Sequence, residues 1–498
     1  MLHVINRNAA VHFIDRHIAE GRGRKTVFVA ADKSVSYTQL HTETQRFANG
    51  LTRSGLRPGA RMAMLMQDSL EFCIAFWGAI RAGIIPIPLN TLLPAASLGG
   101  LLADSSPDLL VISAEFSLPP NAPALVLNTG KDWEAFLVDG AAPPVPVEGS
   151  DIAFWLYSSG STSAPKGVRH RHESLRVVAE AYAAHVLGMT ESDIVLSAAK
   201  MFFAYGLGNS MIFPLAVGAT AILWPHRPAV PAILELLQTH RPTLFFGVPT
   251  LYAGLVGHKD FAGADFSSLR LCLSAGEALP AALGQSWEAA TRTKILDGIG
   301  STEMLHIFLS NTQENLRYGS SGMAVPGYQL RIMGPHGDEM PDGEAGELLV
   351  HGPSAAADYW NQPQKSAATF VDGWTRTGDQ YVRDADGFYH YGGRIDDVFK
   401  VSGIWVSPFE VESALAAHPA VLEAAMVAHA DETGLLKPRA FVVLNDPEDA
   451  SPELAEELQA FVKASIGPWK YPRRVEFCET LPKTATGKIQ RFLLRQVA

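Results

Sequence analysis

Four short stretches carry residue types and spacings that could do chemistry. The run Tyr157-Ser158-Ser159-Gly160-Ser161-Thr162-Ser163-Ala164-Pro165-Lys166-Gly167 follows directly on the apolar Ile152-Ala153-Phe154-Trp155-Leu156. Glycine lets a backbone come close to a ligand. Successive amides and hydroxyls donate to anionic oxygens, and the lysine adds a mobile positive charge. Such a loop wraps a polyphosphate. It is not a Walker A loop, because Lys166 precedes Gly167 and Val168 follows it, where that motif needs Gly-Lys-Ser/Thr.

The second stretch is Asp297-Gly298-Ile299-Gly300-Ser301-Thr302-Glu303. Its glycines admit a flat or anionic ligand, Thr302 offers a hydroxyl to phosphate, and Glu303 offers a carboxylate to magnesium. The plain structural alternative is a tight turn opening a helix, with Ser301 as N-cap. The third is Trp374-Thr375-Arg376-Thr377-Gly378-Asp379 with Gly392-Gly393-Arg394-Ile395-Asp396-Asp397. An aspartate beside a glycine turn accepts both ribose hydroxyls, with an arginine alongside; two ordinary β-turns are the alternative. The fourth is Pro482-Lys483-Thr484-Ala485-Thr486-Gly487-Lys488-Ile489-Gln490-Arg491. A flexible Thr-Gly ahead of Lys488 can deliver an ammonium to developing phosphate charge; a solvated basic tail is the alternative.

These stretches need elements to position them. Tyr37-Thr38-Gln39-Leu40 opens a helical pattern, Arg61 to Met66 reads as a buried strand, Leu70 to Ala82 as a helix stopped by Gly83, and Ile84 to Leu89 as extended. Short strands alternating with helices predict an α/β fold with parallel sheet. Leu118 to Glu148, rich in Pro and Ala, reads as a loop. Beyond the glycine-rich run, strands are predicted at Ala219–Trp224, Thr243–Val248 and Arg270–Ser274, with a helix over Val230–His240. From about Gly322 dense turn signals and short β runs predict a small antiparallel sheet or distorted barrel. From about Val398 an α+β module follows, with its helix Glu453–Ile466 capped by Ser451 and opened by Pro452.

A chain of 498 residues exceeds one hydrophobic core, so at least two domains are expected. The net charge of −11 argues against general nucleic-acid binding. Cys73, Cys272 and Cys478 lie far apart without ligand spacing, which reads as buried free thiols rather than a zinc site or disulfide framework. The N-terminal segment lacks a signal-peptide pattern, and no stretch approaches a membrane span, so the chain reads as soluble and cytoplasmic.

The four stretches, together and in this order, resemble the adenylate-forming superfamily of acyl- and aryl-CoA synthetases, peptide-synthetase adenylation domains and luciferases. The resemblance runs from Tyr37 to Lys488. Three stretches look like benzoate-CoA ligases and related aryl-CoA ligases: Lys200 to Asn209, Asp297 to Phe308, and Lys400-Val401-Ser402-Gly403-Ile404-Trp405-Val406-Ser407-Pro408. The resemblance implies a large N-terminal domain, 1–395, of two α/β subdomains plus a β-barrel-like subdomain, and a mobile α+β C-terminal domain, 396–498. It implies a two-step reaction using ATP, Mg2+ and coenzyme A. A small aromatic carboxylate attacks the α-phosphate of ATP, and the CoA thiol then displaces AMP. A medium-chain acyl-CoA ligase and a catalytically silent nucleotide-binding protein remain the alternatives.

By the same resemblance, Ser158, Ser159, Gly160, Ser161, Thr162 and Lys166 close over the leaving phosphates. Thr302 touches phosphate and Glu303 binds magnesium. Ala275, Gly276 and Glu277 flank adenine and the acyl pocket, and Asp297, Gly298, Ile299 and Gly300 bind ATP. Many relatives carry an aromatic residue where this chain has Ile299, so apolar packing replaces ring stacking there. Asp379 binds the ribose with Arg394 beside it, and Lys488 bridges carboxylate and phosphate in the first step. Asp396 matches the hinge and Gly403 the thiol tunnel. Phe203, Ala204, Tyr205, Gly206, Ser301 and His306 are candidates for the acyl pocket, with ordinary core packing the alternative for Phe203 and Tyr205. No nucleic acid or membrane partner is implied, and a homodimer is left open.

Overall fold

Ser36 opens the first long helix, Tyr37–Arg53, in a reciprocal box. Its hydroxyl accepts the Gln39 amide at 3.2 Å while its own amide donates to Gln39 Oε1 at 2.8 Å, satisfying two donors that a helix start leaves free. The helix buries Leu40, Thr44, Phe47 and Leu51 on one face, and Phe47 packs against Gly78 of the helix Leu70–Arg81. The computed structural model describes the chain except residues 1–5, 31–32, 159–164, 402–403, 431–435, 468–469, 484–488 and 497–498.

The chain divides into two compact units, the first taking the sequence up to Gln329 together with Val350–Thr375, the second Leu330–Leu349 and the sequence from Arg376 onward. The first unit holds three sheets. One is parallel, in the order Ile85–Pro88, Arg61–Leu65, Leu109–Ile112, Val126–Asn128. A nine-stranded sheet is parallel from Thr26–Ala30 through Thr220–Leu223, Ile194–Ser197, Leu244–Gly247 and Leu271–Ser274 to Ile295–Gly300. Antiparallel strands border it on both sides. The third is antiparallel, with Lys166–Arg171 between Ile152–Ser158 and Asp358–Tyr359. The two sheets with parallel strands are the cores of the α/β subdomains expected, their strands buried and hence rich in continuous apolar runs.

Two expectations need correction. The Leu118–Glu148 loop contains a strand, Val126–Asn128, and a short helix, Trp133–Phe136. Their formation is tertiary: Val126–Asn128 extends the parallel sheet, and Trp133 and Phe136 pack on Phe47 at ring separations of 5.3 and 5.1 Å. Cys73 and Cys272 are buried free thiols, but Cys478 is only half-buried.

Trp374–Arg383 and Tyr389–Arg394 form an antiparallel hairpin in a five-stranded sheet, most of it in the second unit, with Ala345–His351, Gln329–Met333 and the short Phe370–Val371. Beyond it, Val421–Ala430 pairs antiparallel with Leu436–Leu444, which pairs parallel with Arg474–Phe477. The helices Pro408–Ala416 and Pro452–Ile466 complete an α+β module around Val411, Leu415, Val442 and Leu458. Ser451 caps the second helix as expected, its hydroxyl accepting the Leu454 amide at 3.2 Å.

Candidate active site

The two ends of the glycine-rich run lie in the paired arms of a β-hairpin. Ile152–Ser158 and Lys166–Arg171 are antiparallel, and Ser158 stands opposite Lys166 across the ladder. A Walker A loop joins a strand to a helix; this one joins strand to strand. Ser159, Gly160, Ser161 and Thr162 lie outside the described residues. The Ser158 hydroxyl is buried and has no partner among the described residues.

Lys166 emerges at the base of the hairpin beside Glu303. Its Nζ lies 3.7 Å from Glu303 Oε1 and donates to the Tyr359 hydroxyl at 3.1 Å. Tyr359 in turn donates to Glu303 Oε1 at 2.7 Å. His170, further along the same strand, and Ala356 brace the Thr302–Glu303 peptide region. His170 Nε2 meets the Thr302 carbonyl at 2.8 Å, so that nitrogen carries the proton. Burial lowers the His170 pKa to about 3, and the ring stays neutral. The Ala356 amide donates to the Glu303 carbonyl at 2.8 Å.

Asp297 to Glu303 does not open a helix. Ile295–Gly300 is a strand, and the chain turns through Leu305 at a φ of 66° into the strand Ile307–Ser310. Ser301 Oγ does accept the Met304 amide at 3.1 Å, but one capping bond does not carry a helix past that left-handed residue. Gly300 is required by close approach, since a Cβ there would fall 2.6 Å from the His306 carbonyl oxygen. Asp297 is buried, with Oδ2 accepting the Leu279 amide at 3.3 Å and Oδ1 without a partner among the described residues. Burial pushes its carboxyl up to about 8, so it is mostly protonated at neutral pH.

The candidate acyl residues follow the strand Ile194–Ser197. The turn is tight: a Cβ on Gly206 would lie 2.1 Å from the Lys200 carbonyl oxygen. Tyr205 and His306 come together, their ring centroids 5.6 Å apart. His306 also packs on Phe213 and Tyr182, at 4.4 and 5.5 Å. Its Nε2 meets Asn209 Oδ1 at 3.1 Å, and burial lowers its pKa to about 3. A neutral imidazole among rings makes an apolar wall and not a cationic carboxylate clamp. Tyr205 is hydrogen-bonded to the Gly247 carbonyl at 3.4 Å. Phe203 instead packs edge-on to Phe202 at 4.5 Å, and Ala204 and Gly206 are buried.

Ala275 is buried at the end of the strand Leu271–Ser274, and Gly276 follows, exposed, with a φ of 94°. Three parallel strands therefore end in candidate site residues: Tyr205, Gly276 and Thr302 each lie beyond the carboxyl end of a strand of one sheet. Open α/β sheets bind ligands there.

In the second unit, Asp379 and Arg394 are direct cross-strand partners. Their side chains meet at 2.9 Å, and Arg394 Nη1 also donates to the Thr377 carbonyl at 2.8 Å. Burial pulls the Arg394 pKa down, but Asp379 outweighs it and holds the pKa above its ordinary value. Asp396 follows in the turn Ile395–Asp397. Gly403 and Lys488 lie outside the described residues.

Sequence reasoning missed Tyr359, His170 and the pair Asp68–Lys200. Asp68 accepts the Met201 amide at 3.2 Å and lies 3.8 Å from Lys200 Nζ, which donates to the Trp224 carbonyl at 2.5 Å. Burial raises the Asp68 carboxyl to about 6 and lowers Lys200. A polar pair inside apolar runs was the available signal: Asp68 and Lys200 each interrupt such a run.

Among the described residues, no three His, Cys, Asp or Glu side chains gather to hold a metal by themselves. A single carboxylate, Glu303, 16% exposed and beside a lysine, fits a magnesium ion shared with nucleotide phosphates. No described helix is long and apolar enough to cross a membrane.

The AMP-binding enzyme model matches residues 15–360, and the model of the AMP-binding enzyme C-terminal domain matches residues 410–488. The chain is 48% identical to the 4-hydroxybenzoate-CoA/benzoate-CoA ligase of Rhodopseudomonas palustris, over 98% of this chain and 94% of that one. It is 49% identical to the benzoate-CoA ligase of Thauera aromatica, over 98% and 95%. Among solved structures, an anthranilate CoA ligase in complex with anthranoyl-AMP superposes with a TM-score of 0.93 at 39% identity, covering 99% of this chain and 98% of that one. A benzoate CoA ligase from Burkholderia xenovorans superposes at 0.88 with 45% identity, covering 99% and 100%. With both models matched and the α/β architecture shared over nearly its whole length, this chain belongs to the AMP-binding, adenylate-forming enzyme family.

Proposed function

We propose that this chain is an ATP-dependent aryl-CoA ligase acting on benzoate or a small substituted benzoate. The observation that carries this reading is near-half identity, over almost the full length, with ligases named for benzoate and 4-hydroxybenzoate. The benzoate carboxylate attacks the α-phosphorus of ATP, the bond to pyrophosphate breaks, and aryl-AMP remains. The CoA thiolate then attacks the aryl carbonyl carbon and AMP leaves, giving aryl-CoA.

Such a first step needs positioning and charge stabilisation on phosphate more than covalent help. Ser158 to Thr162 and Lys166 hold the pyrophosphate side, and the Thr302 hydroxyl donates to phosphate. Glu303 would hold Mg2+, which when bound neutralises phosphate charge. Asp379 takes the ribose hydroxyls with Arg394 orienting its carboxylate. Ala275 to Glu277 and Asp297 to Gly300 frame adenine, with Ile299 packing on its face. Tyr205 and neutral His306 wall the aryl ring, with Phe203, Ala204, Gly206 and Ser301 around them. Lys488 bridges the attacking carboxylate and phosphate. Asp396 is the hinge between functional domains 1–395 and 396–498, about which Lys488 withdraws and the Gly403 loop approaches the thiol tunnel.

Carboxylate-dependent ATP–pyrophosphate exchange tests the reading. Benzoate or a hydroxybenzoate should drive exchange best, ahead of aminobenzoates, halobenzoates, cinnamate and octanoate. Exchange driven best by octanoate would sink the aryl assignment, and exchange with none of the acids would sink the ligase.

A further inference from the structure

Tyr359 stands between two opposite charges that are close and largely shielded. The Lys166 and Glu303 side chains are 21% and 16% exposed, 3.7 Å apart. A phenol carries one donor and an acceptor oxygen. Here it uses both, accepting from Lys166 at 3.1 Å and donating to Glu303 at 2.7 Å. The ammonium also sits 4.3 Å from the centre of the Tyr359 ring.

The phenol is fixed from behind. Tyr359 is 3% exposed and packs with Val168 and Ala356. Its backbone pairs with Val168 across the ladder and donates to Ser366 Oγ at 3.0 Å. Its neighbours are tied as firmly: Asp358 takes both Arg169 nitrogens at 2.6 and 2.5 Å, and the Trp360 amide donates to the Gly167 carbonyl at 2.7 Å. The backbone that carries the phenol therefore cannot shift without moving the three-stranded sheet.

Without that hydroxyl, attraction at reduced dielectric would close the gap between ammonium and carboxylate. A contact ion pair would then have to break before Lys166 could reach phosphate and Glu303 a cation. We propose that Tyr359 is a positioning residue that holds Lys166 and Glu303 apart and presents each separately to a metal-bound nucleotide. The inference rests on the adenylation reading above.

The test is calorimetric titration of ATP without any carboxylate, so that no turnover occurs, in Mg2+ and again in EDTA. The readout is the dissociation constant in EDTA divided by that in Mg2+. Tyr359→Phe should lower that ratio about tenfold, the scale of one charged hydrogen bond, with the thermal midpoint of the nucleotide-free protein little changed. Lys166→Met should weaken ATP binding in both buffers yet keep the ratio near wild type, because the phenol still holds Glu303. This second variant carries the test if Tyr359→Phe does not fold. An unchanged ratio in folded Tyr359→Phe, or a collapsed ratio in Lys166→Met, would overturn the role of Tyr359 alone. Absence of ATP binding by the wild-type protein would overturn the nucleotide reading and this inference with it.

Discussion

Replacing Asp297 with asparagine should stabilise the protein at neutral pH, by an amount that grows with pH. Asp297 is 4% exposed, and its Oδ1 has no partner among the described residues. Burial raises its carboxyl from 3.8 to about 8. A raised acid pKa means that the folded state binds the proton more tightly than the unfolded chain. The contribution of this group is complete below the unfolded value and is lost as pH rises toward the folded one. Between those limits stability falls by about 1.4 kcal/mol per pH unit, so the loss at about pH 7 is roughly 4 kcal/mol. Asparagine has no proton to lose and keeps an oxygen for the Leu279 amide. Its amide nitrogen is no better satisfied than the carboxylic hydroxyl it replaces, so the pH-independent parts nearly cancel.

The stability difference between Asp297→Asn and wild type should therefore widen by about 2.7 kcal/mol between about pH 5 and pH 7. The assay is urea unfolding at both pH values, followed through the transition of the unit that contains Asp297. Subtracting wild type from variant at each pH cancels the other titrating groups. Parallel pH dependence of variant and wild type would refute the assignment of a protonated, uncompensated carboxyl. Activity need not follow stability, because the same position faces the proposed nucleotide site and a stability gain there often costs function.

Two further outcomes are expected. Asp68→Asn leaves the Lys200 ammonium, 13% exposed, without its counter-charge; unfolding titrations of Asp68→Asn, Lys200→Met and the double variant should show a coupling of about 0.5–3 kcal/mol, and strict additivity in the cycle would contradict the pairing. Lys488→Ala should abolish aryl-adenylate formation while preformed aryl-AMP still reacts with CoA, and equal loss in the two half-reactions would contradict its proposed role.

Much of the architecture was legible because it is local. The helix Val230–His240 is bounded as the pattern predicts, by a proline near its start and a break after His240. The Ser451 cap and Pro452 start fall where the sequence puts them. Buried strands such as Arg61–Leu65 announce themselves as continuous apolar runs. The failures were equally physical. Val126–Asn128 has little intrinsic reason to be a strand until Leu109–Ile112 offers it a ladder. The turn after Ser301 looks like a helix start until Leu305 is seen in a left-handed conformation.

For the site, sequence alone determined the chemistry on offer: a glycine-rich loop with its lysine, a carboxylate after a glycine turn, an aspartate and arginine, and a late lysine, in an order that marks the family. The family resemblance also set Arg394 beside Asp379, and the structure pairs the two across a hairpin. Tertiary structure alone decided which groups touch and which are charged. Tyr359 reaches Lys166 from 193 residues away and Glu303 from 56, and no local pattern encodes such a meeting. The protonated state of Asp297 and the neutral rings of His170 and His306 follow from burial. Burial depends on what the rest of the chain packs around a residue, and so is not written in the residue itself.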